Sequence, residues 1–386
     1  MNQIHVGQIL DVAAVERELR GLWQDSAAEQ ENEESVVMRA RVANLIVLIP
    51  DQSSLEELNQ TLKDLSALHP NRTIVNVAAR KETDRDIELY VSSFYQTDGR
   101  GGKRLSCELI ILIARGRFVP ELPSAALPLL IPDLPTFLWW CDALEFDDRT
   151  FLDFSRAADR LVIDSVDAKK SHSMILALAR LFEEGRQEQL GISDINWARL
   201  TSWRALLASF YDAPRCKGPL ARIDSVVVGY SAPEHERDEI APQALLLTGW
   251  LGSRLGWEVS SQPPQKSSGR IKFAAQIDNR LIDIELNRIE RAGIRPGRLA
   301  RMQLNSDDGA ATFVVSRHEQ GLHLETQVTI HGQSHPGRIL PVRNRSTAQL
   351  LGREIEILSN DNIYAEAVKW AAKVILNIDT GPAPSV

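Results

Sequence analysis

Along residues 8–24, Ile9, Val12, Val15, Leu19, Leu22 and Trp23 recur at helical spacing, which predicts an amphipathic helix. Residues 25–35 are acidic and polar and read as a linker. The period then shortens. Residues 42–50, with the apolar run Leu45–Pro50, read as a buried strand, and Asp51-Gln-Ser-Ser supplies capping chemistry for a helix over 54–68. Strands follow at 73–79, 86–95 and 105–114, the last two separated by the turn-rich tip Thr97-Asp-Gly-Arg-Gly-Gly-Lys. Pro120, Pro123, Pro128, Pro132 and Pro135 predict a stiff, mostly extended passage with room for a short helix. It leads into a strand at Thr136-Phe-Leu-Trp-Trp-Cys, a short helix near 150–157 and a strand over 160–164. This order predicts a three-layer α/β domain over 36–165.

Two helices, over 167–186 and 193–210, predict a helical connector at 166–215. A second domain at 216–378 opens with a strand at 223–230 and a helix near 240–254. Strands of alternating character follow at 271–277, 281–289, 298–304, 311–317, 322–330 and 337–342. Their short separations predict a mostly antiparallel sheet packed by helices, the last at 346–358 and 361–377. The fold class is therefore α/β followed by α+β, with residues 379–386 as a frayed tail. No internal repeat is visible.

Composition narrows the role. The chain of 386 residues is 44% hydrophobic and 25% charged, an ordinary globular balance at a length that suits two domains. A net charge of −8 argues against a nucleic-acid partner, which would call for a basic footprint. The opening Met1–Val6 lacks the basic-then-apolar pattern of a secretory signal, and no apolar run reaches membrane-spanning length. Cys107, Cys141 and Cys216 are odd in number and far apart, which argues against a disulfide framework. A cytoplasmic protein is expected.

The search for chemistry returns little. Gly99-Arg-Gly-Gly-Lys-Arg lacks the spacing and the hydroxyl of a phosphate loop, and no Gly-x-Gly-x-x-Gly opens a helix after a strand. His318, His323, His331 and His335 are spread along strands rather than paired as metal ligands. No nucleophile elbow is present. Cys107 and Cys141 are expected to be buried. Arg215 and Lys217 beside Cys216 would favour its thiolate, a possible redox site against the reading of an idle surface thiol. No catalytic residue, cofactor or metal site is assigned.

Two features rise above this background, and both are of interface type. Trp139 and Trp140 are adjacent on a strand, so their rings face opposite sides. Trp197 and Trp203 share a helix with Arg199 and Arg204, and Trp and Arg are enriched in binding hot spots. Packing between layers is the competing explanation. The second feature is Arg288, Arg291, Arg295, Arg298 and Arg301, opposed locally only by Glu290, in a strand–loop–strand broken by Gly293, Pro296 and Gly297. Such a segment suits an acidic surface or a phosphorylated ligand, unless it is simply a solvated basic loop.

Three segments carry a likeness. Leu127-Pro-Leu-Leu-Ile-Pro-Asp-Leu-Pro-Thr-Phe-Leu-Trp-Trp, Asp194-Ile-Asn-Trp-Ala-Arg-Leu-Thr-Ser-Trp-Arg and Asp361-Asn-Ile-Tyr-Ala-Glu-Ala resemble, in this order, the glucose-6-phosphate dehydrogenase assembly protein family, OpcA. The resemblance spans roughly 36–375. It implies a non-catalytic factor that binds glucose-6-phosphate dehydrogenase and promotes its active oligomer or activates it allosterically. The setting it implies is the oxidative pentose phosphate pathway of cyanobacteria and actinobacteria. Some cyanobacterial relatives carry redox-responsive cysteines near the C-terminus. This chain has none after Cys216, which argues against thioredoxin-type control unless Cys216 substitutes. The alternative is a sugar-phosphate-binding sensor or enzyme built on the arginine segment.

Overall fold

The computed structural model of the protein describes residues 2–5, 11–28, 42–97, 104–166, 170–185, 189–232, 239–290, 293–318, 323–341, 345–357 and 360–380. The chain divides into two compact units. One comprises Met1–Ile163, Gln187–Ile195 and Arg345–Asn360, the other Asp164–Arg186, Asn196–Asn344 and Asp361–Val386. The stretch 166–215, read from the sequence as a connector, is thus shared between them. Residues 29–35 of the expected linker, the tip at 98–103 and the tail from 381 lie outside the described residues.

The elements begin with β1 (Asn2–His5), α1 (Val12–Ala28), β2 (Ala43–Ile49), α2 (Ser53–Leu68), β3 (Asn71–Ala79), β4 (Arg85–Thr97) and β5 (Arg104–Arg115). There follow α3 (Leu122–Ala126), β6 (Thr136–Trp140), α4 (Arg149–Ala157), β7 (Arg160–Ile163), α5 (Ser171–Glu183) and β8 (Gly191–Asp194). The first unit's sheet has the order β1-β4-β5-β3-β2-β6-β7-β8. From β5 to β8 every pairing is parallel, and β4 and β1 add an antiparallel edge. In chain order the six parallel strands stand third, second, first, fourth, fifth, sixth, the arrangement of a doubly wound dinucleotide-binding sheet. All residues of β2, β3, β6 and β7 are buried, so both faces of the sheet centre are covered, as in a three-layer fold. Val15 and Leu19 of α1 are fully buried, and Glu16 on the same helix pairs with Arg72 of β3 at 2.6 Å.

Three local expectations are corrected. The proline passage is mostly helical turns: a 3-10 turn at Gly116–Glu121, α3, and a second 3-10 turn at Leu127–Leu129. A proline fixes φ near a value that suits a helix start as well as an extended chain, and Pro123 and Pro128 each take such a start. Residues 193–194, expected in a helix, belong to β8, which pairs in parallel with β7. Helix α1 runs through Ala28 into the expected linker.

The second unit continues with α6 (Ile195–Arg199), α7 (Thr201–Ser209), α8 (Pro214–Leu220), β9 (Ile223–Tyr230) and α9 (Pro242–Leu255). Its strands continue as β10 (Glu258–Val259), β11 (Gln265–Ser267), β12 (Arg270–Ile277), β13 (Arg280–Arg288), β14 (Leu299–Ser306) and β15 (Ala311–Arg317). Then come β16 (His323–Ile330), β17 (Gln333–His335) and β18 (Ile339–Pro341) and, after α10 (Thr347–Glu356), which belongs to the first unit, α11 (Asn362–Thr380). The final helix therefore includes residues 379–380, which were expected in the tail. The sheet order is β10-β12-β13-β9-β14-β15-β16-β17, with β11 on β12 and β18 on β16. Among the described strands of this sheet, only β9 and β13 pair in parallel.

Val226, Ile284, Met302, Phe313 and Leu324 lie on one buried face of this sheet. Helical aromatics pack against it: Phe210 meets Phe313 at 5.4 Å and Trp370 meets Phe273 at 6.3 Å between ring centroids. The other face alternates into Arg301, Gln303, Asn305, Ser316, Glu325 and Gln327, all half-buried or exposed. Helices α9 and α11 approach closely. A Cβ at Gly249 would lie 2.3 Å from the Ala367 carbonyl oxygen, so only glycine fits there. No helix among the described residues is long and apolar enough to cross a membrane.

Candidate functional site

The four tryptophans singled out by sequence are all interior. Trp139 and Trp140 are 5% and 1% exposed, and Trp203 is 2% exposed. Trp140 donates its indole N–H to the Ala143 carbonyl at 3.1 Å and packs edge-on against Phe151 at 5.2 Å. Rings this buried are packing residues of the interior.

Trp197, 5% exposed, organises the start of the second unit. Its Nε1–H donates to Asp361 Oδ2 at 2.8 Å, while Asp361 Oδ1 accepts the Tyr364 N–H at 2.9 Å and so caps α11. The Tyr364 ring lies 5.4 Å from Trp197. Arg204 stacks on the indole with its guanidinium 3.5 Å from the ring centroid. Burial pushes the Arg204 pKa down to about 10, with Asp361 opposing the shift. Arg199 pairs with both Asp164 oxygens at 2.6 and 2.7 Å. Two of the three segments that carried the family likeness, 164 positions apart at this bond, are therefore joined by it. Arg199 and Arg204 are committed to internal partners, which the sequence could not reveal.

The basic segment is different. Arg295 and Arg301 are exposed, Arg288 and Arg298 are half-buried, and Arg291 lies outside the described residues. Arg301 also borders an open cavity of about 390 Å³ on the polar face of the second sheet. Across β14, β15 and β16 the register sets Arg301 beside Ser316 and Ser316 beside Glu325. Arg317 and His318, at the end of β15, also border it. Sequence reasoning missed this grouping because it depends on strand register. It also treated the late histidines as dispersed, whereas the His318 and His323 rings stack at 4.3 Å.

The cysteines correct two expectations. Cys141 is exposed, just past the end of β6. Cys216 is buried, and burial pushes its thiol up, outweighing the lowering influence of Arg215. Among the described residues no His, Cys, Asp and Glu group is placed to hold a metal.

The crevice beyond the carboxyl ends of β2 and β6 is where a doubly wound sheet would receive a dinucleotide, its phosphates on the N-terminus of the following helix. Here Asp51 Oδ1 accepts the Ser54 N–H at 3.0 Å and the Ser53 and Ser54 hydroxyls at 2.6 and 3.0 Å. A carboxylate thus takes donors at the start of α2 that a phosphate would need, and its charge would repel one. The residues present do not fit a dinucleotide.

These features define a two-unit α/β protein with the strand order of a dinucleotide-binding sheet and a phosphate seat filled by its own carboxylate. Comparison with known sequences carries this further: the chain belongs to the OpcA family of glucose-6-phosphate dehydrogenase assembly proteins. Residues 62–180 match the family described as glucose-6-phosphate dehydrogenase subunit N-terminal domain, and 190–368 match that described as the C-terminal domain. The chain is 28% identical over 302 residues to the OxPP cycle protein OpcA of Nostoc punctiforme, covering 75% of this chain and 62% of that one. It is 27% identical over 316 residues to the OpcA protein of Synechocystis sp., covering 79% and 63%. The matches thus span less than two thirds of these relatives' length. Among solved structures, an oxidoreductase domain protein from Kribbella flavida shares the fold at a TM-score of 0.50 and 9% identity, covering 88% of this chain and 97% of that one.

Proposed function

We propose that the protein is a non-catalytic cytoplasmic factor that binds glucose-6-phosphate dehydrogenase and promotes its active oligomer or activates it allosterically, in the oxidative pentose phosphate pathway. The observation that carries this reading is the pair of dehydrogenase-subunit domains matched in order across 62–368. The Asp51 carboxylate at the phosphate seat supports a role without dinucleotide chemistry. A partner that prefers one state of the enzyme shifts its population by the difference in affinity, and a coupling of about 1–3 kcal/mol changes substrate affinity several-fold or more. The exposed Arg295 and Arg301, with Arg288 and Arg298 behind them, are the contact residues this reading favours. Trp139, Trp140, Trp197, Arg199, Trp203 and Arg204 support the surface from within. A buried Cys216 of raised pKa argues against that thiol as a thioredoxin target.

The test is dehydrogenase kinetics and oligomeric state, measured with and without the purified factor. A lowered KM or a larger active assembly is expected. Unchanged substrate dependence and unchanged mass across an excess of factor overturn the reading.

A further inference from the structure

The polar face of the second sheet runs across β12, β13, β9, β14, β15 and β16, and the register sets its side chains in rows. One row reads Arg270, Asn287, Gly229, Arg301, Ser316, Glu325. The next reads Lys272, Glu285, Val227, Gln303, Val314, Gln327. Arg270, Lys272, Arg301 and Gln327 are exposed, so no described element of the chain covers these rows. One solvated face is common in antiparallel sheets, and what sets this one apart is where its charges stand. At the β12 edge two cations share one carboxylate: Arg270 and Lys272 both pair with Glu285, at 2.5 and 3.2 Å. At the β16 edge stands Glu325, whose Oε1 accepts from a neutral group, the Ser316 hydroxyl, at 3.3 Å.

The two edges lie equally far from the line between β9 and β14, with three strands of the face on either side. A two-fold axis along that line, parallel to the strands, would lay a second copy face to face with the first and match each row to itself. Arg270 then stands opposite Glu325 of the copy, and Glu325 opposite its Arg270. Lys272 meets Gln327, Asn287 meets Ser316, and Arg301 stands over Gly229, the position of its row with no side chain. Glu285 falls opposite Val314 and keeps its own cations. No like charges meet in either row. The axis keeps the strands of the two sheets aligned, as stacked sheets about 10 Å apart prefer. Six strands at about 4.8 Å by about eight residues at 3.3 Å give about 750 Å² per copy, within the range of about 600–1,000 Å² per partner of a standard interface.

We propose that this face pairs with a second copy of the chain about a two-fold axis between β9 and β14, tied at both ends by Arg270 and Glu325. The association is a property of the chain alone, so its failure leaves the reading of a dehydrogenase factor standing. Arg301 serves both, so docking of the enzyme and self-association exclude one another. The test is sedimentation equilibrium of the full chain over a range of concentrations. A dimer that dissociates on dilution is expected. Arg270→Glu and Glu325→Lys should each weaken it tenfold or more, because each sets like charges opposite one another at both ends of the interface. Mixing the two variants should restore dimer, since each then supplies the charge the other lacks. A variant that merely failed to fold could not be rescued in this way, and far-UV circular dichroism checks the fold of each. A parent chain that stays monomeric up to about 200 µM overturns the proposal. So do single variants that dimerise as the parent does, or a mixture of the two that stays monomeric.

Discussion

Replacing Asp361 by alanine removes two bonds at once, and the structure says how much each contributes. The first is the cap: Oδ1 no longer accepts the Tyr364 N–H at the start of α11, a loss worth about 1 kcal/mol. The second is the acceptor for the indole N–H of Trp197, and a hydrogen bond to a charged group is worth about 1.5–3 kcal/mol. The lower end applies, because Asp361 is itself exposed and water can reach the vacated place. The stacked Arg204 also loses the carboxylate that offsets its burial. The expected destabilisation is therefore about 2.5 kcal/mol, summing the cap and the weakened charged bond. Asparagine keeps one acceptor oxygen for the cap and loses the charge, so Asp361→Asn should cost about 1.5 kcal/mol. Urea unfolding followed by far-UV circular dichroism reads both, with amide exchange in α11 reporting the local loss. A double-mutant cycle with Trp197→Phe, which keeps the ring and removes the donor, should show coupling of about 1 kcal/mol. Stability of Asp361→Ala within about 0.5 kcal/mol of the parent, with no coupling to Trp197→Phe, would refute the reasoning.

Two further predictions follow from packing and charge in the second unit. Gly249→Ala drives a methyl to 2.3 Å from the Ala367 carbonyl oxygen, backbone that cannot rotate away, so a loss of about 3 kcal/mol is expected; an unchanged thermal midpoint would contradict the close approach of α9 and α11. Glu285 sits partly buried, which alone would raise its pKa, but hydrogen bonds from Arg270, Asn287 and Lys272 bring it down to about 2 from an ordinary 4.5. Its folded pKa is the lower one, so its stabilisation is full above about pH 4.5 and fades as pH falls towards 2. With Arg270 and Lys272 about half exposed to solvent, about 1 kcal/mol is expected rather than the full value the shift would give. Glu285→Gln should be less stable than the parent by that amount at pH 7 and equal to it near pH 2, as read by urea titration at the two pH values.

Much of the fold was legible because burial imposes period. The strand expected at 42–50 became β2, buried along its whole length, and the alternating strands of the second unit became a sheet with one greasy and one polar face. Three things escaped. The strand β8 is four residues long and leads straight into α6, so Asp194 reads as a cap when it is the end of an edge strand. The proline passage hid its turns because a proline's φ serves both states. The doubly wound order escaped because its usual signature is glycine at the phosphate seat, and this chain places Asp51 there instead. Strand order is set by which apolar strands pair, and that leaves no short motif.

The candidate site divides along the same line. Trp139, Trp140, Trp197, Trp203 and Asp361 are the residues that make the family legible, and all but the last are buried. A core residue is constrained by every neighbour it touches, so it writes a distinctive pattern into the chain. An exposed contact is constrained only when the partner is present, and Arg301 looks like any solvated arginine until the register places it. Hot-spot composition therefore misleads when it is read from sequence alone: Trp and Arg mark buried packing as readily as they mark a docking surface. What separates the two is exposure. By that measure Arg301, exposed on the polar face of the second sheet and bordering its cavity, differs from Arg199 and Arg204, which are tied to internal partners.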